Sequence, residues 1–200
     1  MALTLVKEDG TGKTNANSYA GAADGDAYFE AHLYAQAWTN ADTGAKETAL
    51  VMATRLIDSM CQFSGRRAHS TQALQWPREE CPDPDRGQTR STVVVPLSDS
   101  FVPNNIVPKP ISDATCEMAR ELLIADRTAP VPGEGVDEVQ HSESSSSDDG
   151  TNKTSSATST TTKYDKGDKR PIISQVAQAM LSKFGSLVKA GGGPVRLVRT

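Results

Sequence analysis

Gly10-Thr11-Gly12-Lys13-Thr14 has the residue types of a phosphate-binding loop. Glycines let backbone N–H groups close around a phosphate, Lys adds charge, and Thr can reach a bound metal. The full pattern is G-x-x-x-x-G-K-[ST], and Lys7 stands where the first glycine is required. No strong apolar helix follows, so a flexible N-terminal turn is expected instead. His32, His69 and His141 could act as bases or ligands, but no two share a ligand spacing. Cys61, Cys81 and Cys116 lie at least twenty residues apart, with no C-x-x-C, so neither a zinc site nor a redox pair is expected. No G-x-S-x-G turn presents a serine nucleophile. Glu79 and Glu80 have no apolar surroundings to raise their pKa and read as loop surface. Arg66-Arg67 beside Phe63 is a weak nucleic-acid signal, and a solvated turn is the plainer reading. The chain is not expected to be an enzyme, and no cofactor or metal is expected.

The elements that must position these residues are mainly helical. Ala23, Ala27, Tyr28 and Ala31 mark one stripe and predict a helix over 22–33, with Gly25 lowering its propensity. A loop is expected from Trp38 to Gly44. Ala49, Leu50, Ala53, Leu56, Ile57 and Met60 recur at i, i+3, i+4 spacing and predict a helix over 45–60, with Asp42 and Thr43 as caps. Residues 64–110 hold seven prolines and read as an irregular loop, with Val93–Val95 as one short strand. Trp76 is expected to anchor that loop to the helices. Ile111, Ala114, Thr115, Met118, Ala119, Leu122 and Ala125 form the face of a helix over 111–126, ended by Pro130 and Pro132. Cys116 falls on that helix as a small core residue. Ile173 to Val188 carries a broad apolar stripe, and a helix over 171–188 starting at Pro171 is expected.

The fold expected is mainly α: a small helical bundle with extended loops, a long polar β-hairpin and a C-terminal helical arm. Its divisions are a core over 1–130, a Ser/Thr-rich hairpin or linker over 131–166, and a helix with docking tail over 167–200. At 36% hydrophobic and 5% aromatic, the core must rest on small aliphatic side chains. No run approaches a membrane span, and no secretory signal is expected at the N-terminus, so the chain reads as cytoplasmic and reduced.

Fourteen of the twenty-one residues 142–162 are Ser or Thr. Such a segment buries too little apolar surface to order itself. Asp148-Asp149-Gly150 is a hairpin-turn signal, followed by β-branched Thr. The segment therefore fits a long polar hairpin as well as a flexible linker. A hairpin would need adjacent copies or another surface to hold it. The net charge of −4 gives no general attraction to nucleic acid. Charge is unevenly placed: six acids and no Lys or Arg over 130–150, then eight Lys or Arg against two acids over 163–199. The terminal Val195-Arg196-Leu197-Val198-Arg199 alternates like a strand that could add to a partner's sheet edge, with Arg196 and Arg199 expected on one face to pair with the partner's carboxylates.

A set of short motifs is more specific than any one of them. They are A-N-S-Y at 16–19, D-A-Y-F at 26–29, A-W-T at 37–39, K-E-T-A-L-V-M-A-T-R-L-I-D at 46–58, L-Q-W-P-R at 74–78, A-T-C-E-M-A at 114–119 and V-R-L-V-R at 195–199. Together they resemble the tailed-phage head–tail adaptor, or head-completion, proteins, many of which are labelled DnaT-like single-stranded-DNA-binding proteins. The resemblance covers most of the chain except about 135–162. It implies a homo-oligomeric ring, about a dodecamer, beneath the portal protein, with a tail or second connector protein on the far side. It implies a virion component, in the host cytoplasm during assembly, with double-stranded DNA passing through without sequence-specific contact. By the same analogy Val195–Arg199 would dock on the portal, and Asp148, Asp149 and Gly150 would lie at an inter-subunit or tail-side hairpin. The rival expectation is a single-stranded-DNA-binding replication protein, which would need a basic groove with aromatic platforms.

Overall fold

A computed structural model describes residues 3–85, 100–129, 138–148, 153–163 and 171–188. The chain divides into two units, one of residues 1–127 with 173–200 and the other of residues 128–172.

In the first unit, α1 (Ala22–Phe29) starts where the Asp24 carboxylate accepts from the Gly21 N–H at 2.7 Å. It stops short of the expected Leu33. His32 instead turns back to bond the Phe29 carbonyl. Gly25 has a positive role here: a Cβ at this point would run into the Trp38 ring. Trp38 itself sits on a four-residue helix, α2 (Gln36–Thr39), where a loop was expected.

The next helix, α3 (Thr43–Met60), follows its sequence signals closely. Asp42 is the cap, accepting from Ala45 N at 2.8 Å, and Ala49, Leu50, Ala53 and Ile57 are buried. Leu56 is only half-buried. At Cys61 the backbone becomes extended and forms β1 (Cys61–Phe63). The following loop contains a short antiparallel pair, β2 (Arg66–Arg67) and β3 (Arg78–Glu79). Gly65, at φ +71°, makes the turn into it, where a Cβ would strike the backbone of Glu79–Cys81. Val93–Val95 lie outside the described residues.

Pro108 caps α4 (Lys109–Ile124), and Pro110 occupies a position whose N–H would have no helical acceptor. Ile111, Ala114, Thr115, Met118 and Ala119 are buried as the stripe predicts, while Ala125 is exposed beyond the helix end. The helices α3 and α4 form the main packing of the unit. Pro130 and Pro132 are outside the described residues.

The C-terminal helix is shorter than expected and forms part of this core. α5 (Gln175–Leu181) starts after its Ser174 cap and not at Pro171, and it ends before Phe184. The chain then becomes β6 (Gly185–Leu187), antiparallel to β1. Gly185 explains the break: a Cβ there would overlap the Gln62–Phe63 backbone, so only glycine lets this strand approach. Ile173, Ala177, Leu181 and Phe184 are buried in the same cluster as Trp76 and Ile111. The apolar stripe that suggested a detached arm is thus mostly core, with Val176 and Val188 exposed.

The second unit contains β4 (Glu138–Asp148) and β5 (Lys153–Lys163), an antiparallel ladder eleven residues long. It runs from Glu138 opposite Lys163 to Asp148 opposite Lys153. This is the hairpin of the two readings the composition allows.

Candidate functional site

The Gly-rich loop holds a carboxylate of its own. Glu8, 1% exposed, accepts from Gly10 N (2.9 Å) and Gly12 N (2.9 Å) through one oxygen and from Lys13 N (2.8 Å) through the other. These N–H groups are the ones that would face a phosphate. Gly10 and Gly12 have positive φ, which is how the loop curls round the carboxylate. Lys13 pairs with Asp9 at 2.8 Å. The loop is a closed, self-filled anion nest and not a flexible turn.

The motif residues converge on structural locks. Asn17 of A-N-S-Y accepts from Val6 N (2.7 Å) and donates to the Thr4 carbonyl (2.9 Å), which fastens the N-terminal segment. Tyr19 is fully buried, and its hydroxyl donates to Asp58 Oδ1 at 2.5 Å. The same hydroxyl accepts from Gln75 N (3.0 Å) and Trp76 N (3.2 Å), while Asp58 Oδ2 accepts from Gln75 N (3.1 Å). Burial pushes the Asp58 carboxyl up to about 6, against the lowering effect of the Tyr19 hydroxyl. Tyr19 is raised too, by burial first and then by the Asp58 charge. Asp26 of D-A-Y-F accepts from Trp38 Nε1 and from Lys46 Nζ, each at 2.8 Å, and the Lys46 contact lowers its pKa.

L-Q-W-P-R forms the second lock. Trp76 is fully buried and meets Phe63 and Phe184 edge-on, with ring centroids 5.8 and 5.7 Å apart. It anchors the loop over 64–85 as expected, and it bridges to the C-terminal strand as well. Arg78, 7% exposed, donates to the carbonyls of Phe63 (3.2 Å), Ser64 (2.7 Å), Gly65 (2.7 Å) and Gln75 (3.1 Å). The guanidinium replaces the missing backbone partners of an irregular turn.

A-T-C-E-M-A places Glu117, 2% exposed, at the centre of a third cluster. Its carboxylate accepts from Tyr28 Oη (3.0 Å) and Arg120 (3.1 Å), with His32 Nε2 at 3.5 Å. His32 Nδ1 accepts from Tyr34 N at 3.1 Å, so the pattern of partners puts the ring proton on Nε2. Both ring nitrogens are engaged, and among the described residues no hydroxyl or thiol nucleophile is one of their partners. The arrangement clamps α1 to α4. The three thiols are free and buried, and burial pushes Cys61 and Cys116 up to about 12, far from a reactive thiolate. No cluster of metal-ligating side chains occurs among the described residues. No described helix is long and apolar enough to cross a membrane.

Several sequence candidates are placed apart. Arg66 pairs with Glu79 at 3.0 Å, and Arg67 donates to the Gln72 carbonyl at 3.3 Å, which supports the solvated-turn reading. His69 is exposed. Asp148 ends β4, while Asp149, Gly150 and Val195–Arg199 lie outside the described residues. Of the exposed large apolar side chains among the described residues, Leu33 (83%) and Tyr34 (74%) form the most exposed tip; an open groove is lined by Phe29 and Trp38. Sequence reasoning missed this tip because it extended α1 through Leu33.

A family model described as "Putative DnaT-like ssDNA binding protein" matches residues 3–200. No curated protein and no solved structure matches the chain. The match spans nearly the whole chain, and the chain belongs to this family.

Proposed function

We propose that this member of the DnaT-like family is a structural head–tail adaptor of a tailed phage. In this reading copies form a ring beneath the portal, join the capsid to the tail and surround the exiting DNA. The observation that carries it is how the buried aromatic motif residues, Arg78 and several of the other basic side chains are engaged. Tyr19, Trp38, Trp76 and Arg78 are buried, and each serves to hold one part of the fold to another. Lys7, Lys13, Lys46, Lys109, Arg66 and Arg120 each pair with a carboxylate. Such a module offers a rigid body and extensions, in keeping with a joining role. The eleven-residue strands of the polar hairpin add a reach that a small enzyme or a replication factor does not need.

A second reading, single-stranded DNA binding, is favoured by the family's description. It requires stacked aromatics along a basic groove. Tyr34 is the one exposed aromatic among the described residues. One experiment separates the readings. Purified chain is offered to portal-containing, tailless heads and, in parallel, to a fluorescent oligothymidine. The adaptor reading expects saturable binding to heads and no salt-dependent binding to the oligonucleotide. Tight oligonucleotide binding that weakens steeply with salt, with no binding to heads, would reverse the choice.

A further inference from the structure

The second unit holds the feature that the first does not explain. β4 and β5 pair along their whole length, and no third strand joins either edge among the described residues. Each outer edge therefore presents backbone N–H and C=O groups that the ladder leaves unpaired. A lone two-stranded ribbon is marginal in water, and strands of Ser and Thr have no apolar face to bury. The charges are sorted by strand. β4 carries Glu138, Glu143 and Asp148 with no Lys or Arg, and β5 carries Lys153 and Lys163 with no acid.

We propose that hairpins of successive copies pair edge to edge, β5 of one against β4 of the next, in a continuous antiparallel sheet that closes into a barrel. The proposal rests on the ring reading given above. The choice of edges follows from charge. Pairing β4 with β4 sets acids against acids, and pairing β5 with β5 sets Lys against Lys, both unfavourable across strands. Pairing β5 with the next β4 sets opposite signs together. When the hairpins point the same way these two strands run antiparallel. Opposite charges pair best when the register within one hairpin is repeated between hairpins, so the proposal sets Lys153 opposite the next Asp148 and Lys163 opposite the next Glu138. Charges that only guarded an edge against aggregation would not need sorting; sorting repels like edges and admits unlike ones. A contact between two different edges does not close on itself as a pair. It propagates until a ring closes. Strands polar on both faces suit a wide barrel with water inside and out.

Variants of the full chain that each add one cysteine test this. Ser144 and Ala157 are opposite each other within the hairpin, so the proposal also sets Ala157 of one copy opposite Ser144 of the next. Cys61, Cys81 and Cys116 are buried and do not compete. Ser144→Cys and Ala157→Cys are oxidised separately and mixed, then read by gel and native mass spectrometry. The expected result is a disulfide-linked dimer in the mixture and none in either variant alone. A dimer in one variant alone would mean like edges meet and would overturn the proposal. No dimer in the mixture, with a ring still present by native mass, overturns the hairpin pairing and leaves the ring reading standing. No dimer and a monomer mass at every concentration overturns both. A charge-reversed chain (Glu138→Lys, Glu143→Lys, Asp148→Lys, Lys153→Glu, Lys163→Glu) supplies a second readout. It should form rings by itself and stay out of rings of the unaltered chain; freely mixed rings would overturn the charge argument.

Discussion

Replacing Trp76 by Ala removes the side chain that joins three separate stretches of chain. The ring is fully buried, touches Phe63 at the end of β1 and Phe184 before β6, and has no acceptor for Nε1 among the described residues. Truncating a buried Trp costs about 3–5 kcal/mol from lost burial and the cavity left behind. The two edge-on ring contacts lie within that sum. The unpaired N–H works the other way, because its removal relieves about 1–3 kcal/mol of desolvation cost. The two ranges leave a net loss of about 0–4 kcal/mol, centred near 2 kcal/mol. For a unit of this size the central value is a fall in Tm of roughly 4–8 °C. The location of the effect is more diagnostic than its size. Amide exchange should quicken in 63–81 and in 184–187 together, since Trp76 bridges them, while the middle of α3 changes least. The assay is thermal melting by circular dichroism with exchange read by mass spectrometry. Faster exchange in 63–81 with 184–187 unaffected, or no change in either stretch, would refute the bridging role.

Other perturbations have equally definite outcomes. Arg78→Lys should cost about 2–4 kcal/mol in urea unfolding, because one ammonium cannot satisfy the carbonyls that the guanidinium fork reaches; a loss under about 0.5 kcal/mol, the scatter of ordinary surface changes, would show that those carbonyls find other partners. Asp58 has a folded pKa raised to about 6 from 3.8, so it binds a proton more readily when folded. Its contribution is fully present below pH 3.8 and is lost as pH rises through 6, up to about 2–3 kcal/mol before discounting for its partial exposure. The stability difference between the protein and Asp58→Asn should therefore change across that window, and a pH-independent difference would contradict the assignment. Glu8→Ala leaves three loop N–H groups without their acceptor and should loosen residues 8–14 in exchange experiments; unchanged protection there would show that the carboxylate does not organise the loop.

The amphipathic helices were legible because their signals are local. α3 and α4 each combine a clean stripe with a cap or a proline at the start, and both lie within two residues of their expected bounds. α5 was overextended because its apolar spacing continues through Gly185, and only the close approach of β1 shows why the helix stops first. α2 is a single turn with too few residues for any period to register. The locks were half legible. Trp76 was readable as an anchor from its size and setting. Arg78 was not, because its acceptors are backbone carbonyls from 63–65 and 75, which no residue pattern displays. Glu8 was hidden for the same reason: its partners are N–H groups of a loop that must first fold round it. The hairpin was readable as one of two options from its turn signal, while its register, and so its sorted charges, needed the ladder itself.

The claim that the chain joins head to tail is tested most directly by where it sits in the particle. A single-particle reconstruction of the portal vertex from intact virions would resolve the helices of α3 and α4 as density. The expected density is a ring of copies in contact with the portal, into which the first unit fits. A vertex in which no ring accommodates this helical core, in particles otherwise complete with tails, would contradict it.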